Sequence, residues 1–271
     1  MIKVSFQGER GAYSEAAARY FFSDKIETVP FPTFAEVLES TISDKTDYSV
    51  LPVENSLEGS VGESYDLLYS TTLNAMGEIY HRIEHCLIGE GDLDEVDTIY
   101  SHPQALGQCR KFIQKYHLKT VPSYDTAGSV GIIKEINKKN VACIASKAAS
   151  KIYEVPVIAE NIADALNNYT RFLVLSKKNT EETGNDKTSI IFSIKHEPGS
   201  LFRIIKNFYD FSINLTKIES RPTKATNWEY NFYVDFEGHA KNSKIADMLE
   251  KIKNETLFMK ILGSYPSAKL N

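Results

Sequence analysis

Residues 177–187 read Lys-Lys-Asn-Thr-Glu-Glu-Thr-Gly-Asn-Asp-Lys and contain no apolar side chain. Such a stretch adds nothing to a hydrophobic core and is typical of a linker between domains. The spacing of apolar residues also differs on its two sides, which supports a boundary at this point. We therefore predict a first domain at 1–177, a linker at 178–187 and a second domain at 188–271.

Before the linker, short apolar strands alternate with helical patterns. The predicted strands are Lys3–Gln7, Tyr48–Val53, Ile79–Ile88, Thr98–Ser101, Lys119–Pro122, Val141–Ala145 and Arg171–Leu175. Helices are predicted where capping signals occur: from Thr33 to about Asp44, from Pro103 to about Tyr116, and from Thr126 to Lys138 after Asp125. This alternation favours an α/β fold in which helices cover the sheets.

The first domain is expected to form two lobes. A chain that leaves a sheet and later returns to it creates a cleft, and small ligands commonly bind in such clefts. We place one lobe at about 1–80 plus 157–177 and the other at 81–156.

After the linker, the pattern predicts the order βαββαβ. Its strands are Thr188–Lys195, Ile213–Glu219, Trp228–Glu237 and Thr256–Leu262, and its helices are Gly199–Phe211 and Lys241–Asn254. That order is the ferredoxin-like arrangement.

Composition and charge exclude several classes of protein. The net charge is −5 and no basic cluster occurs, so a nucleic-acid partner is not expected. No apolar run approaches the ~20 residues of a membrane span, and no secretory signal follows Met1, so we expect a cytoplasmic protein with no membrane partner. The cysteines Cys86, Cys109 and Cys143 lack metal-ligand spacing and are predicted to be buried free thiols.

Polar clusters stand where strands end or helices begin, at 8–14, 52–61, 101–106, 125–129 and 167–172. Such positions bind anions, because free backbone N–H groups and the helix dipole converge there. Taken singly, each cluster is explained as well by turn geometry or helix capping.

In combination, and in this order, the clusters resemble the prephenate dehydratase family. The matching residues are Phe6-Gln7-Gly8 with Gly11-Ala12-Tyr13-Ser14, Pro52 with Glu54-Asn55-Ser56, Gly59 and Val61, Ser101-His102-Pro103-Gln104-Ala105-Leu106 with Gln108-Cys109, and Thr170-Arg171-Phe172. The second domain resembles the ACT regulatory module, through Gly199-Ser200-Leu201-Phe202 and through Glu219-Ser220-Arg221-Pro222 followed by Trp228-Glu229-Tyr230. Two departures are Glu9 after Gly8, where many relatives carry proline, and Ser200, where alanine is commoner.

The resemblance implies a two-lobed catalytic region that is similar to periplasmic binding proteins. It also implies a carbon–oxygen lyase that converts prephenate to phenylpyruvate in phenylalanine biosynthesis. The gain of aromaticity drives this reaction, so no metal or cofactor is expected. The implied catalytic residues are Thr170, Arg171, Asn55, Ser101 and Gln108. The implied substrate-binding residues are Glu54, Ser56, Gly11, Tyr13, Thr126, Ala127 and Phe172.

The resemblance assigns the central role to Thr170, whose hydroxyl would donate to the departing oxygen; taken alone, it is an ordinary β-branched strand residue. Arg171 is predicted either to bind a substrate carboxylate or to orient a neighbouring acid. Glu54 would repel a dianion, so positioning Thr170 or Arg171 is its alternative role. His102 is a possible acid, although helix capping or packing is favoured. Thr126 and Ala127 would offer backbone N–H groups to the second carboxylate.

Feedback by L-phenylalanine is the implied regulation. Its predicted binding residues are Gly199, Ser200, Leu201, Phe202, Glu219, Ser220 and Arg221. Because ACT modules usually pair, a homodimer or homotetramer is expected.

Two alternatives remain open. Arogenate dehydration is the same chemistry on an aminated substrate. A non-catalytic amino-acid sensor would have a similar cleft, but the Thr170-Arg171-Phe172 triplet favours the enzyme.

Overall fold

The computed structural model describes residues 1–23, 25–223 and 229–269, and in these ranges the chain forms three β-sheets with helices. The strands are β1 (Ile2–Gln7), β2 (Ile26–Phe31), β3 (Tyr48–Asn55), β4 (Gly59–Ser60), β5 (Asn74–Arg82), β6 (Cys86–Gly89), β7 (Thr98–Ser101), β8 (Lys119–Pro122), β9 (Val141–Ala145), β10 (Val157–Ala159), β11 (Tyr169–Ser176), β12 (Asp186–Ser193), β13 (Leu215–Pro222), β14 (Tyr230–Glu237) and β15 (Phe258–Pro266). The helices are α1 (Tyr13–Phe22), α2 (Phe34–Ile42), α3 (Gly62–Ser70), α4 (Pro103–Gln108), α5 (Arg110–Lys115), α6 (Gly128–Ile136), α7 (Lys147–Tyr153), α8 (Ser200–Asp210) and α9 (Ser243–Asn254).

The first sheet has the strand order β2-β1-β3-β11-β5, with β4 beside β3. Strands β1, β2 and β3 run parallel, whereas β11 is antiparallel to both of its neighbours, β3 and β5. Strand β11 is therefore placed in the middle of a sheet whose other strands come from the first 82 residues.

The second sheet has the order β10-β6-β9-β7-β8. The predicted strand Ile79–Ile88 is in fact two strands, because β5 ends at Arg82 in the first sheet and β6 begins at Cys86 in the second. Periodicity does not show such a crossing, since both pieces are apolar. Strand β10 pairs with β6, so the second sheet extends to Ala159, beyond the boundary expected at 156.

The third sheet contains the strands from Asp186 onward, in the antiparallel order β13-β14-β12-β15. The predicted linker at 178–187 is therefore too long at its end, because Asp186 and Lys187 are buried in β12. The element order β12-α8-β13-β14-α9-β15 agrees with the predicted βαββαβ pattern. The predicted first residue of β14, Trp228, lies outside the described residues. Helices α8 and α9 pack on one face through a core that includes Ile204, Phe208, Met248 and Ile252.

The opposite face of the third sheet shares a core with the first sheet. One cluster of buried side chains joins Leu51 and Leu173 of the first sheet to Ile191, Tyr233 and Tyr265 of the third. Because the two sheets exclude water from each other, the C-terminal unit is part of the packed structure and is more than a tethered appendage.

Three helices were not predicted: α1, α3 and α7. Ser146 caps α7 by accepting from the Ala149 N–H, whereas α1 and α3 lack a capping signal. Helix α1 follows Ala12 and helix α3 follows Val61, and neither residue has a side chain that caps the helix. The predicted helix from Pro103 to Tyr116 is divided at Cys109, whose backbone leaves the helical region at φ −114° and ψ 24°.

Candidate active site

A cavity of about 430 Å³ lies between the first and second sheets. Eight of the predicted catalytic and substrate-binding residues line it: Gly11, Tyr13, Asn55, Gln108, Thr126, Ala127, Thr170 and Phe172. Residues from both sheets contribute, so the cavity depends on how the two sheets are arranged.

Neighbouring strands β3 and β11 supply the centre of the cavity wall. Thr170 and Phe172 are two positions apart on β11 and therefore share a face of the strand. On β3, a bulge opposite the step from Arg171 to Phe172 lets Pro52 and Asn55 reach the same cavity, although three positions separate them.

The Thr170 hydroxyl is held by Asn55, its cross-strand partner. The Asn55 side-chain N–H group donates to Thr170 Oγ1 over 3.0 Å. The Asn55 side-chain oxygen is itself fixed by the backbone N–H groups of Leu57 and Glu58, at 3.0 and 3.1 Å. Because Thr170 Oγ1 accepts this bond, its own hydrogen can be donated to a ligand in the cavity.

A chain of buried side-chain hydrogen bonds continues from Asn55 to the far wall. Asn55 donates to Asn168 Oδ1 over 2.7 Å, and Asn168 donates to Gln108 Oε1 over 2.9 Å. Gln108 Oε1 lies 2.9 Å from His85 Nε2, and His85 Nδ1 lies 3.0 Å from the Tyr13 hydroxyl. These contacts fix the orientation of the side-chain amides of Asn168 and Gln108. The sequence did not reveal His85 or Asn168 as site residues, because nothing local distinguishes them from structural polar residues.

We predict that buried His85 reduces the stability of the protein in acid. Burial lowers the pKa of His85 below the value of about 6.5 for an unfolded histidine. Below that pH the unfolded chain takes up a proton that folded His85 does not. The free energy of unfolding is therefore unaffected by His85 above about pH 6.5. It decreases as the pH is lowered from that value towards the pKa of His85 in the folded protein. Urea unfolding of the wild type and His85→Asn at about pH 7.5 and about pH 5.5 measures the effect.

The wild type should lose more stability between these two pH values than His85→Asn. Both proteins keep His81, whose pKa burial also lowers, so the difference between them isolates His85. Equal losses would show that His85 does not carry the effect.

Five helices begin at the cavity, because the residue that precedes the first turn of each lines it. These residues are Ala12 of α1, Val61 of α3, His102 of α4, Ala127 of α6 and Ser146 of α7. The described lining residues include no lysine or arginine. An anionic ligand would therefore be held by backbone N–H groups and side-chain donors. Gly11, at φ 89°, lets the loop before α1 approach Ala149 more closely than a side chain would allow.

Asp125 was predicted only as a helix cap, yet it also lines the cavity. Its carboxyl accepts from the Gly128 N–H over 2.7 Å. Burial raises the pKa of Asp125, which favours its neutral form beside an anionic ligand.

Four predicted residues do not line the cavity. Ser101 is buried and donates to the Ile144 carbonyl over 2.7 Å. Ser56 donates to the Asn167 carbonyl and accepts from the Tyr169 N–H, so it joins two loops. Glu54 and Arg171 point to the opposite side of the strands that carry Asn55 and Thr170.

Arg171 is buried between the first and third sheets. Its guanidinium contacts Glu78 at 2.8 Å, Asp235 at 2.5 Å and the Tyr265 hydroxyl at 3.0 Å. Glu54 contacts Lys217 of the third sheet at 2.8 Å. The first predicted role of Arg171, binding a substrate carboxylate, would require it to reach the cavity, and it does not. The second role was to orient a neighbouring acid, and the acids that it contacts are on strands β5 and β14, not on a neighbouring loop.

A second cavity, of about 150 Å³, lies on the C-terminal unit. Ser200 and Leu201 line it, and Gly199 precedes α8 with a φ of 81°, a conformation that favours glycine. Phe202 is 67% exposed and lies outside this cavity. Glu219, Ser220 and Arg221 are on β13 and do not line it either; the Arg221 guanidinium lies 3.6 Å from Asp66 of α3.

The described residues contain no metal-binding cluster, no disulfide and no membrane-spanning helix. In the ranges that the structure covers, no cluster of three or more histidine, cysteine or acidic side chains has the geometry of a metal site. Cys86, Cys109 and Cys143 are buried and free, as predicted. None of the described helices combines the length and the apolar character needed to cross a bilayer.

A cavity lined by both polar and apolar side chains lies between two sheets that are joined to a third, antiparallel sheet, and it defines a small-molecule-binding protein of mixed α/β fold. Comparison with known proteins identifies its family. The family model described as prephenate dehydratase matches residues 4–180. A bifunctional chorismate mutase/prephenate dehydratase of Aquifex aeolicus is 38% identical over 272 residues, which are 99% of this chain and 75% of that protein.

Two solved structures are similar over nearly the whole chain. A structure described as prephenate dehydratase in complex with L-Phe, from Arthrobacter aurescens, has a TM-score of 0.90 at 29% identity and covers 98% of this chain and 90% of its own. A structure described as a quorum quenching acylase has a TM-score of 0.91 at 30% identity and covers 98% of each chain.

The chain belongs to the prephenate dehydratase family. It is accordingly a carbon–oxygen lyase that converts prephenate to phenylpyruvate.

Proposed function

We propose that the cavity between the first two sheets is where prephenate is dehydrated, with Thr170 as the group that assists the departing hydroxyl. In this reaction the ring C–O bond breaks and the ring carboxylate leaves as carbon dioxide. The electron pair of the broken C–C bond completes the aromatic ring. The departing hydroxide takes up one proton and becomes water, so no metal or redox cofactor is required by the balance of atoms and electrons.

The hydrogen bond from Asn55 to Thr170 carries this proposal. Since the threonine oxygen accepts from Asn55 over 3.0 Å, its O–H bond is directed away from Asn55 and is available to the substrate. A threonine hydroxyl is a weak acid in isolation. It becomes effective as a donor here because the leaving oxygen becomes strongly basic while the C–O bond breaks.

The two carboxylates of prephenate would be held mainly by neutral donors. The first turn of α1 opens on the cavity, and Asn55, Gln108, Tyr13 and Thr126 line it. A helix N-terminus favours an anion through its unpaired N–H groups and its dipole. A site without lysine or arginine among its described lining residues also holds the product anion less tightly, which suits release.

The C-terminal unit is proposed to be an ACT module that binds L-phenylalanine and inhibits the reaction. The support is its βαββαβ order, the second cavity at Ser200 and Leu201, and the L-Phe complex of the Arthrobacter aurescens relative. Tyr209, at 82% exposed, lies on the same helix as Phe202, so α8 presents an apolar surface suited to a second copy. This surface supports the expected homodimer or homotetramer. We also propose that the protein acts in the cytoplasm.

The test is to incubate the purified protein with prephenate at neutral pH and to quantify phenylpyruvate with and without phenylalanine. Rapid formation that phenylalanine suppresses is the expected result. Formation without suppression would overturn the regulatory proposal alone. No formation above the spontaneous rate would overturn the proposed substrate. Arogenate would then be assayed next, and phenylalanine binding without turnover of either compound would favour the sensor.

A further inference from the structure

We propose that Glu54 and Arg171 are positioning residues, which hold Asn55 and Thr170 in their working geometry by means of bonds to the third sheet. The inference rests on the proposed role of Thr170 and extends it to the C-terminal unit. Under this proposal, the third sheet is part of the support of the active site even when no effector is bound.

The register of β3 and β11 places these four residues in two cross-strand pairs. Thr170 lies opposite Asn55, and Arg171 lies opposite Glu54. Because successive side chains of a strand point to opposite faces, the first pair faces the cavity and the second faces the third sheet. One peptide bond therefore separates each cavity residue from a residue that is bound to the C-terminal unit.

The third sheet also contains a cross-strand pair of charged residues, and this pair contacts Glu54 and Arg171. Lys217 of β13 lies opposite Asp235 of β14. The Lys217 Nζ atom is 2.8 Å from Glu54 Oε1, and the Arg171 Nη1 atom is 2.5 Å from Asp235 Oδ2. In these two contacts each sheet supplies one acid and one base, so the two pairs are complementary; Glu78 of β5 also contacts Arg171, and Lys187 of β12 contacts Glu78. We refer to Glu54, Arg171, Lys217 and Asp235 as the four-charge cluster.

Three members of the cluster are shielded from water and one is not. The side chains of Arg171, Asp235 and Lys217 are 6%, 10% and 11% exposed, whereas that of Glu54 is 38% exposed. The second oxygen of Asp235 accepts from Ser189 of β12, and Ser189 in turn contacts Tyr265 of β15. Arg171 therefore contacts β14 and β15 directly and β12 through Ser189, and Glu54 forms its ion pair with β13.

A small displacement of β3 relative to β11 would move Asn55 away from Thr170. Catalytic groups are sensitive to such errors, because a misplacement of about 1 Å can lower a rate by about 10²-fold. The same strands β12 and β14 that hold Arg171 also lead to the second cavity, which Ile194, Tyr230 and Phe232 line. The third sheet thus links the second cavity to Arg171, the residue next to Thr170.

The experiment uses the full-length protein and measures kcat, KM and urea unfolding for Lys217→Met, which removes the charge and keeps the apolar stem. We expect kcat to fall about tenfold while KM changes by less than about twofold. Lys217→Arg, which keeps the charge, should retain most of the turnover. Lys217→Met and Glu54→Gln should not add when combined, because both break the same ion pair.

Lys260→Met is the matched control. Lys260 also crosses from the third sheet to the first lobe, but it donates to the carbonyls of Leu68, Tyr69 and Thr71 and does not reach β3 or β11. We expect it to lower stability without lowering kcat. A wild-type kcat for Lys217→Met, or an equal loss of kcat for Lys260→Met, would overturn the inference. Thr170→Val is assayed in parallel: if it remained active, the proposed role of Thr170 would fail, whereas an inactive Thr170→Val with a fully active Lys217→Met would refute the positioning role alone.

Discussion

Replacement of Thr170 by valine is expected to lower kcat by about 10²-fold or more, the usual scale for assistance to proton transfer. Valine keeps the β-branched shape of threonine in a strand position that is 9% exposed, so the fold should persist. What is lost is the hydroxyl that accepts from Asn55 and donates to the leaving oxygen. Initial rates of phenylpyruvate formation at saturating prephenate measure the change.

Thr170→Ala should show the same loss of turnover, and Thr170→Ser separates the hydroxyl from the methyl group. The serine variant should recover much of the rate, because it restores the oxygen and its hydrogen. Circular dichroism and urea unfolding of all three variants check that they fold. Near-normal turnover in the folded valine variant would mean that another group protonates the leaving oxygen.

Replacement of Arg171 by methionine is expected to lower the free energy of unfolding by about 3–5 kcal/mol. Loss of one member of a buried ion pair has this cost, because it leaves the partner charged and without compensation. Here both Glu78 and Asp235 would lose the guanidinium, and the side chain of Glu78 is 0% exposed. Lys187, at 2.7 Å from Glu78, would compensate only one of the two acids. Urea unfolding monitored by far-ultraviolet circular dichroism gives the value.

Arg82→Met is the control for this change, since it removes an arginine from an exposed pair. Arg82 and Glu84 are 45% and 52% exposed and 3.3 Å apart, so their contribution should be about 0–1 kcal/mol. A similar loss of stability in both variants would indicate that the buried cluster contributes no more than a surface pair does.

Thr170 and Arg171 are adjacent in the chain but lie in different environments. In a strand, adjacent side chains point to opposite faces, and here one face lines the first cavity while the other contacts the C-terminal sheet. A short sequence motif can therefore combine a residue proposed for catalysis with a structural one.

Much of the site could be predicted from polar clusters at the ends of strands. Asn55, Thr126 and Thr170 come from different clusters, and they line one cavity together with Gln108. His85 was not predicted, and Asn168 was given no role although it lies in the cluster 167–172, because the partners of each are far away in the chain. The prediction placed Ser101 at the substrate, whereas the Ser101 hydroxyl is used by the Ile144 carbonyl.

Local composition and the period of the apolar residues predicted the polar clusters and the βαββαβ order of the C-terminal unit, and the structure confirms that order. They also predicted a linker at 178–187, but β12 already begins at Asp186. The packing of the sheets was needed to show that the strand predicted at Ile79–Ile88 belongs to two sheets, and that Glu54 and Arg171 face the C-terminal unit. The reason is physical: alternation shows that neighbouring side chains point in opposite directions, but which direction meets the substrate depends on what packs against each face.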